Sequence, residues 1–254
     1  MNAFSIHWYD YWGRPTPTKP AADGIHFNQK RGCRVRAQEI SELLRAFSYE
    51  RLTKYRAAYL GPMDPAGDYC GYGLYMWNSK LAAACFTSIH VMEVVLRNAV
   101  AEACAAQYGS NWAYQPGFHT SLKDTQYNEL YDLTSGFGAV LPIGKIVSEL
   151  NFFFWQSLLS NRHYQRLWRG RLFYIFPALQ RAPKESDSLK KLYDSVEHVR
   201  NFRNRIAHHE PIFHRNISSD MNFIKGVIRA RSIAVESWLT SFDDVQKVIS
   251  ERPI

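Results

Sequence analysis

Cysteine is scarce in this chain. Four occur in 254 residues, Cys33, Cys70, Cys85 and Cys104, and no two stand at C-x-x-C spacing. That scatter excludes a disulfide framework and offers no zinc set, and it fits reduced, buried thiols in a cytoplasmic protein. No uninterrupted run of 18 apolar residues occurs, so neither a membrane-spanning helix nor a membrane partner is expected. The first residues (MNAFSIHWYDYWGRP) lack a basic segment followed by a long apolar run, so no secretory signal is expected either. Strict apolar–polar alternation is almost absent, which removes the main sign of half-buried strands. Internal repeats and low-complexity tracts are also missing.

What is present is a chain long enough to bury a sizeable core, with 46% hydrophobic and 21% charged residues. Its net charge is +8, which points toward a polyanionic partner. The distribution of that charge says more than its total. Residues 28–60 hold 8 Lys/Arg against 3 Asp/Glu, a net of +5. Residues 61–144 hold 3 against 7, a net of −4, and residues 145–215 hold 13 against 6, a net of +7. Folding could merge the two basic blocks into one phosphate-attracting face; a solvated basic surface with no partner is the other reading.

Pro15, Pro17 and Pro20 break up an aromatic segment over residues 1–35, which reads as an irregular N-terminal arm. From residue 36 to 254 the pattern is all-α. One helical stretch carries Ile40, Leu43, Leu44, Phe47, Leu52, Tyr55 and Tyr59, and a Gly/Pro loop follows at Gly61–Gly67. A long helix over about 72–108 places Leu81, Cys85, Ile89, Met92, Leu96, Ala99 and Ala103 on one face, with Gly109 as its C-cap. A short helix near 124–134, a turn at Gly136–Gly138 and a helix from Pro142 to Leu159 come next, then short helices over 162–180. Asp187 is expected to cap a strong helix that docks through Leu189, Leu192, Val196, Val199, Phe202 and Ile206 and ends before Pro211. A last long helix spans about 220–239, with Ile224, Ile228, Val235 and Trp238 inward, and a shorter one starts at Asp243.

One constellation carries chemistry: V-R-N-F-R-N-R-I-A-H-H-E-P-I-F, residues 199–213. Asn204 and His208 are four apart and share one side of the helix, and Arg203 can swing toward the same patch. His208 and His209 end the helix, where its dipole favours a protonated imidazole. Arginine, amide and imidazole together suit phosphate binding and proton transfer. A surface ion-pair arginine and a capping histidine would use the same residue types. Glu93 and Arg97, four apart, read as an ion pair beside Asn98, either structural or supporting Arg203. Arg200 and Arg205, with Arg166, Arg169 and Arg171 among aromatics, are candidates for RNA contact, or for a basic rim around a core. No metal-ligand spacing is present, and no cofactor is expected.

Arg203-Asn204, three residues, then His208 resembles the R-N-x-x-x-H signature of HEPN-domain ribonucleases. An ordered series extends the likeness to their Abi-like (abortive infection) branch. It runs through L-x-K-Y (Leu52 to Tyr55), L-Y-x-W-N (Leu74 to Asn78) and H-x-x-E-x-x-L-R-N (His90 to Asn98). It continues with Y-G-x-x-W (Tyr108 to Trp112), a run from Phe154 to Leu159, and R-N-x-x-A-H-H-E-P-I-F (Arg203 to Phe213). The resemblance covers roughly residues 45–250 and leaves out the arm. It implies a HEPN-type helical bundle and a metal-independent RNA endonuclease toxin of an anti-phage or toxin–antitoxin system. His208, or His209 as its alternative, would move protons, Arg203 would hold the scissile phosphate, and Asn204 would orient either partner. It further implies a homodimer with a composite site. Glu210 stands where some relatives carry a modifiable tyrosine, which turns the expected antitoxin toward a small noncoding RNA. A non-catalytic RNA- or protein-binding module of a defence ribonucleoprotein is the alternative.

Overall fold

The computed structural model describes residues 37–58, 69–135 and 140–253. The N-terminal arm, the Gly61–Gly67 loop, the Gly136–Gly138 turn, Cys33 and the side chain of Cys70 lie outside the described residues. Among the described residues every regular element is helical and no strand occurs.

Ser48 has a φ of +65° and divides the first helical stretch, expected to be continuous, into α1 (Ala37–Phe47) and α2 (Tyr49–Ala58). Local periodicity passes through that break because the left-handed residue turns the chain without spoiling the apolar spacing on either side. α3 (Tyr69–Tyr108) follows, 40 residues or about 60 Å of helix. Its expected face is the centre of the core, with Leu81, Cys85, Ile89, Met92, Leu96, Ala99 and Ala103 all fully buried. Gly109, with a φ of +87°, ends it by donating its N–H to Ala105. Burial pushes the Cys85 thiol up to about 12, and Cys104 is raised for the same reason.

The stretch Gly71–Tyr108 contains an 18-residue window with mean hydropathy of 1.4, of which 33% is buried. By length and composition alone it resembles a membrane-crossing helix, as the apolar core helix of a helical bundle also does. Small residues such as Ala and Cys keep the average high even where polar ones interrupt. Here α3 is the axis around which the other helices pack.

α4 (Pro116–His119) and α5 (Asp124–Ser135) come next. The helix expected from Pro142 to Leu159 is two: α6 (Ile143–Glu149) and α7 (Phe152–Leu158). Asn151 breaks it, since its side chain caps Phe154 N–H at 2.9 Å while its own N–H donates to Glu129 at 2.6 Å. A π-helical turn over Tyr164–Trp168 and α8 (Leu172–Ile175) lead to α9 (Glu185–Ala207). Lys184, not Asp187, occupies the N-cap of α9, and Asp187 lies in the first turn, where it faces the positive end of the helix dipole. The last long helix is also two, α10 (Ile217–Arg231) and α11 (Ile233–Thr240), before α12 (Val245–Ser250). Ser232 is extended and caps Val235 at 3.3 Å. This break shifts the phase of the apolar face, so Leu239 is buried while Trp238, expected inward, is 57% exposed.

α3 packs against α2, α7, α9, α10 and α12. Trp77 Nε1 donates to the Val248 carbonyl at 2.6 Å and closes the C-terminal helix onto it. The six predicted apolar positions of α9 are all buried, and this docking holds its C-terminal end beside α2 and α3.

Candidate functional site

α9 ends in a double backbone closure. His209 N–H donates to Ile206 at 3.0 Å and Glu210 N–H to Arg205 at 2.8 Å, with His208 as the C-cap. This closure requires a left-handed residue and most often takes glycine. Here His209 supplies it, with a φ of +56°. Histidine is among the side chains that tolerate that region best, yet the position is strained relative to glycine.

Three tethers hold the turn. Arg51 on α2 donates to the His209 carbonyl at 3.4 Å. Asn78 on α3, only 4% exposed, accepts from Ile212 N–H at 2.8 Å and Phe213 N–H at 3.1 Å. Arg215 forks onto Asp220 of α10 at 2.8 and 2.6 Å, and the same buried carboxylate lies 2.7 Å from His198 Nε2 on α9. The His198 ring stacks on Phe223 at 4.1 Å, and the Arg215 guanidinium lies 5.2 Å from the Phe202 ring centre. None of these roles was drawn from the sequence. A signal did exist for two: Asn78 and Asp220 sit at core-facing phases of their helices, where a polar residue implies a specific partner.

Arg203 stands at the edge of the buried face of α9, and its Nε donates to Glu93 of α3 at 3.0 Å. This replaces the expected Glu93–Arg97 ion pair and agrees with the other role expected of the trio, Glu93 supporting Arg203. The pair joins two packed helices with both side chains partly shielded, Glu93 to 26% and Arg203 to 34% exposure. Arg97 is half-buried and makes no hydrogen bond or ion pair with a described residue, and Asn98 is exposed. Asn204 and His208 are joined by their backbones, His208 N–H to Asn204 carbonyl at 2.9 Å. Their side chains, and that of His209, make no hydrogen bond or ring contact with a described residue. Within one chain, Arg203 is thus held against α3 while both histidines are exposed at the helix end. The guanidinium keeps donors beyond Nε that can meet an anion.

The candidate RNA contacts divide. Arg200 lies 4.8 Å from the Phe153 ring centre with its Nε buried, so it packs on α7 instead of presenting a free cation. Arg205 borders an open cleft, 3.7 Å from Glu210 and 3.5 Å from His214. Arg166 is exposed, Arg169 bonds Gln165 at 3.1 Å, and Arg171 bonds the Arg166 carbonyl at 3.0 Å. The neighbouring Trp168 and Phe176 are fully buried, leaving Tyr174, 79% exposed, as the ring there most open to stacking. His163 is buried among these arginines. Burial, then the charges of Arg162, Arg166 and Lys123, hold its imidazole down to about 4, so it is neutral at pH 7.

No protein-family model, curated protein or solved structure matches this chain.

Proposed function

We propose that this protein is a metal-independent endoribonuclease of the HEPN type, acting as a toxin in abortive infection or a toxin–antitoxin pair. The observation that carries the reading is the end of α9. There Arg203 is oriented by Glu93, and two exposed histidines carry no competing bond. In the proposed reaction a 2′-hydroxyl gives its proton to a base and attacks the adjacent phosphorus. The P–O5′ bond breaks and the 5′-oxygen takes up a proton, leaving a 2′,3′-cyclic phosphate and a 5′-hydroxyl. His208 moves one of these protons as a general acid or base. Arg203 neutralises charge building on the phosphoryl oxygens, and Asn204 orients the substrate.

Within one chain no hydrogen bond joins Arg203 to either histidine, which supports a site completed by a second copy. The solvent side of α3 suits such a partner, with Met76 and Phe86 49% and 43% exposed along it. Glu210 in place of a modifiable tyrosine supports an RNA antitoxin held on the basic face.

The Arg203–Glu93 ion pair also favours a second reading, a binding module whose arginine is structural. RNA cleavage in EDTA separates the two. Wild type should cut and produce cyclic-phosphate ends, and His208→Ala should be slower by about 10²–10⁴. Equal rates for the two, or activity that depends on added magnesium, would reject the mechanism.

A further inference from the structure

Lys54 belongs to the L-x-K-Y run, yet its role is not that of its neighbours. Leu52 and Tyr55 are 1% exposed and anchor α2, the Tyr55 ring lying 5.2 Å from that of Phe213. Lys54 is exposed and makes no hydrogen bond or ion pair with a described residue. With Arg205, Glu210, Pro211, Phe213 and His214 it lines an open cleft of about 550 Å³. That volume falls within the range of small-ligand sites.

The electrostatics of this cleft are unbalanced. Lys54, Arg205 and His214 converge on it, with Arg205 Nη1 only 3.5 Å from His214 Nε2. The lone carboxylate in the lining, Glu210, sits 3.7 Å from Arg205, too far for a good hydrogen bond. Arg205 Nη1 donates to His214 Nε2 in that contact, and the guanidinium keeps further N–H donors which, with the Lys54 ammonium, can meet an anion. Pro211 and Phe213 in the lining are apolar and offer a surface for a planar base. The cleft also opens directly after His208 and His209, where the chain leaves the end of α9.

We propose that this cleft is a nucleotide subsite of single-stranded RNA. It holds the nucleotide next to the scissile phosphate, with the phosphodiester on Lys54, Arg205 and His214 and the base against Pro211 and Phe213. This rests on the ribonuclease reading but is tested apart from cleavage. The probe is a fluorescently labelled 2′-O-methyl oligoribonucleotide, which has no free 2′-hydroxyl to attack and so cannot be cut by this route. Binding to the full chain is followed by anisotropy.

Lys54→Ala and Arg205→Ala should each weaken binding about tenfold, as loss of a charge-assisted hydrogen bond does. Glu210→Gln should tighten it several-fold, because it removes the competing anion; a general loss of structure would not produce that opposite sign. Lys54→Arg should bind like wild type. If Lys54→Ala and Arg205→Ala bind within twofold of wild type, or Glu210→Gln binds more weakly, the subsite is rejected. The ribonuclease reading fails separately: a protein that shows this binding pattern and never cuts unmodified RNA keeps the subsite and loses the nuclease.

Discussion

Arg203 and Glu93 are each about a quarter to a third exposed, so their pair is worth roughly 1 kcal/mol or less to stability. Changes at either residue therefore report on chemistry more than on folding. Arg203→Ala is expected to abolish cleavage and weaken RNA binding, by roughly 1.5–3 kcal/mol for a charged hydrogen bond, with little change in Tm. Glu93→Gln keeps the shape but loosens the arginine, and should lower kcat with KM nearly unchanged. His208→Ala should bind RNA normally and cut it slowly, whereas His209→Ala should keep substantial activity. Single-turnover kinetics with the four variants would test this assignment, and an inactive His209→Ala beside an active His208→Ala would move the role to His209.

At the scale of elements, the last turn of α9 holds backbone strain. His209 holds a φ of +56° that glycine would adopt without steric cost. His209→Gly should stabilise the fold by about 1 kcal/mol, read as a rise in Tm or in the urea midpoint. A fall would show that the imidazole makes a stabilising contact outweighing the strain. Asn78 has the opposite character. It takes two backbone N–H groups from the segment that follows the turn. Asn78→Ala would strand both, at about 1–3 kcal/mol each if water cannot reach them. Urea unfolding should lose a few kcal/mol, and near-wild-type stability would mean that the segment is anchored chiefly by Asp220 and Arg51.

For the molecule as a whole, cations distant in sequence come together among the described residues. Arg51 and Lys54 come from the first basic block, Arg205 and Arg215 from the second, and all four surround the end of α9. The acid limit of the fold is set in part by His163 on another side of the bundle. Its folded pKa is about 4 against about 6.5 when unfolded. The unfolded chain therefore takes up this proton first. The stability is present above pH 6.5 and is lost as pH falls from 6.5 toward 4, by up to about 3 kcal/mol. Comparing wild type with His163→Leu by denaturant melts at pH 7 and pH 5 should show a shallower loss in the variant. Parallel slopes would mean that the buried imidazole is not the group titrating.

The helical class, the apolar faces of α3 and α9 and the stop at Gly109 were determined by the sequence itself, because a 3.6-residue period and a terminal glycine are local signals. The motif residues were legible for the same reason, as neighbours on a single helix. The breaks at Ser48, Asn151 and Ser232 were not. Each is a polar residue whose capping depends on the direction the chain takes, and that direction is set by what the next helix packs against. The partner of Glu93 lies 110 residues away, beyond any helical spacing, so only the packing of α3 on α9 could choose Arg203 over Arg97. The same holds for Asn78 with the segment after α9, for His198 with Asp220, and for Lys54 with Arg205. These polar contacts were decided by tertiary structure, since a side chain that needs a partner meets it only after the apolar faces have brought the helices together.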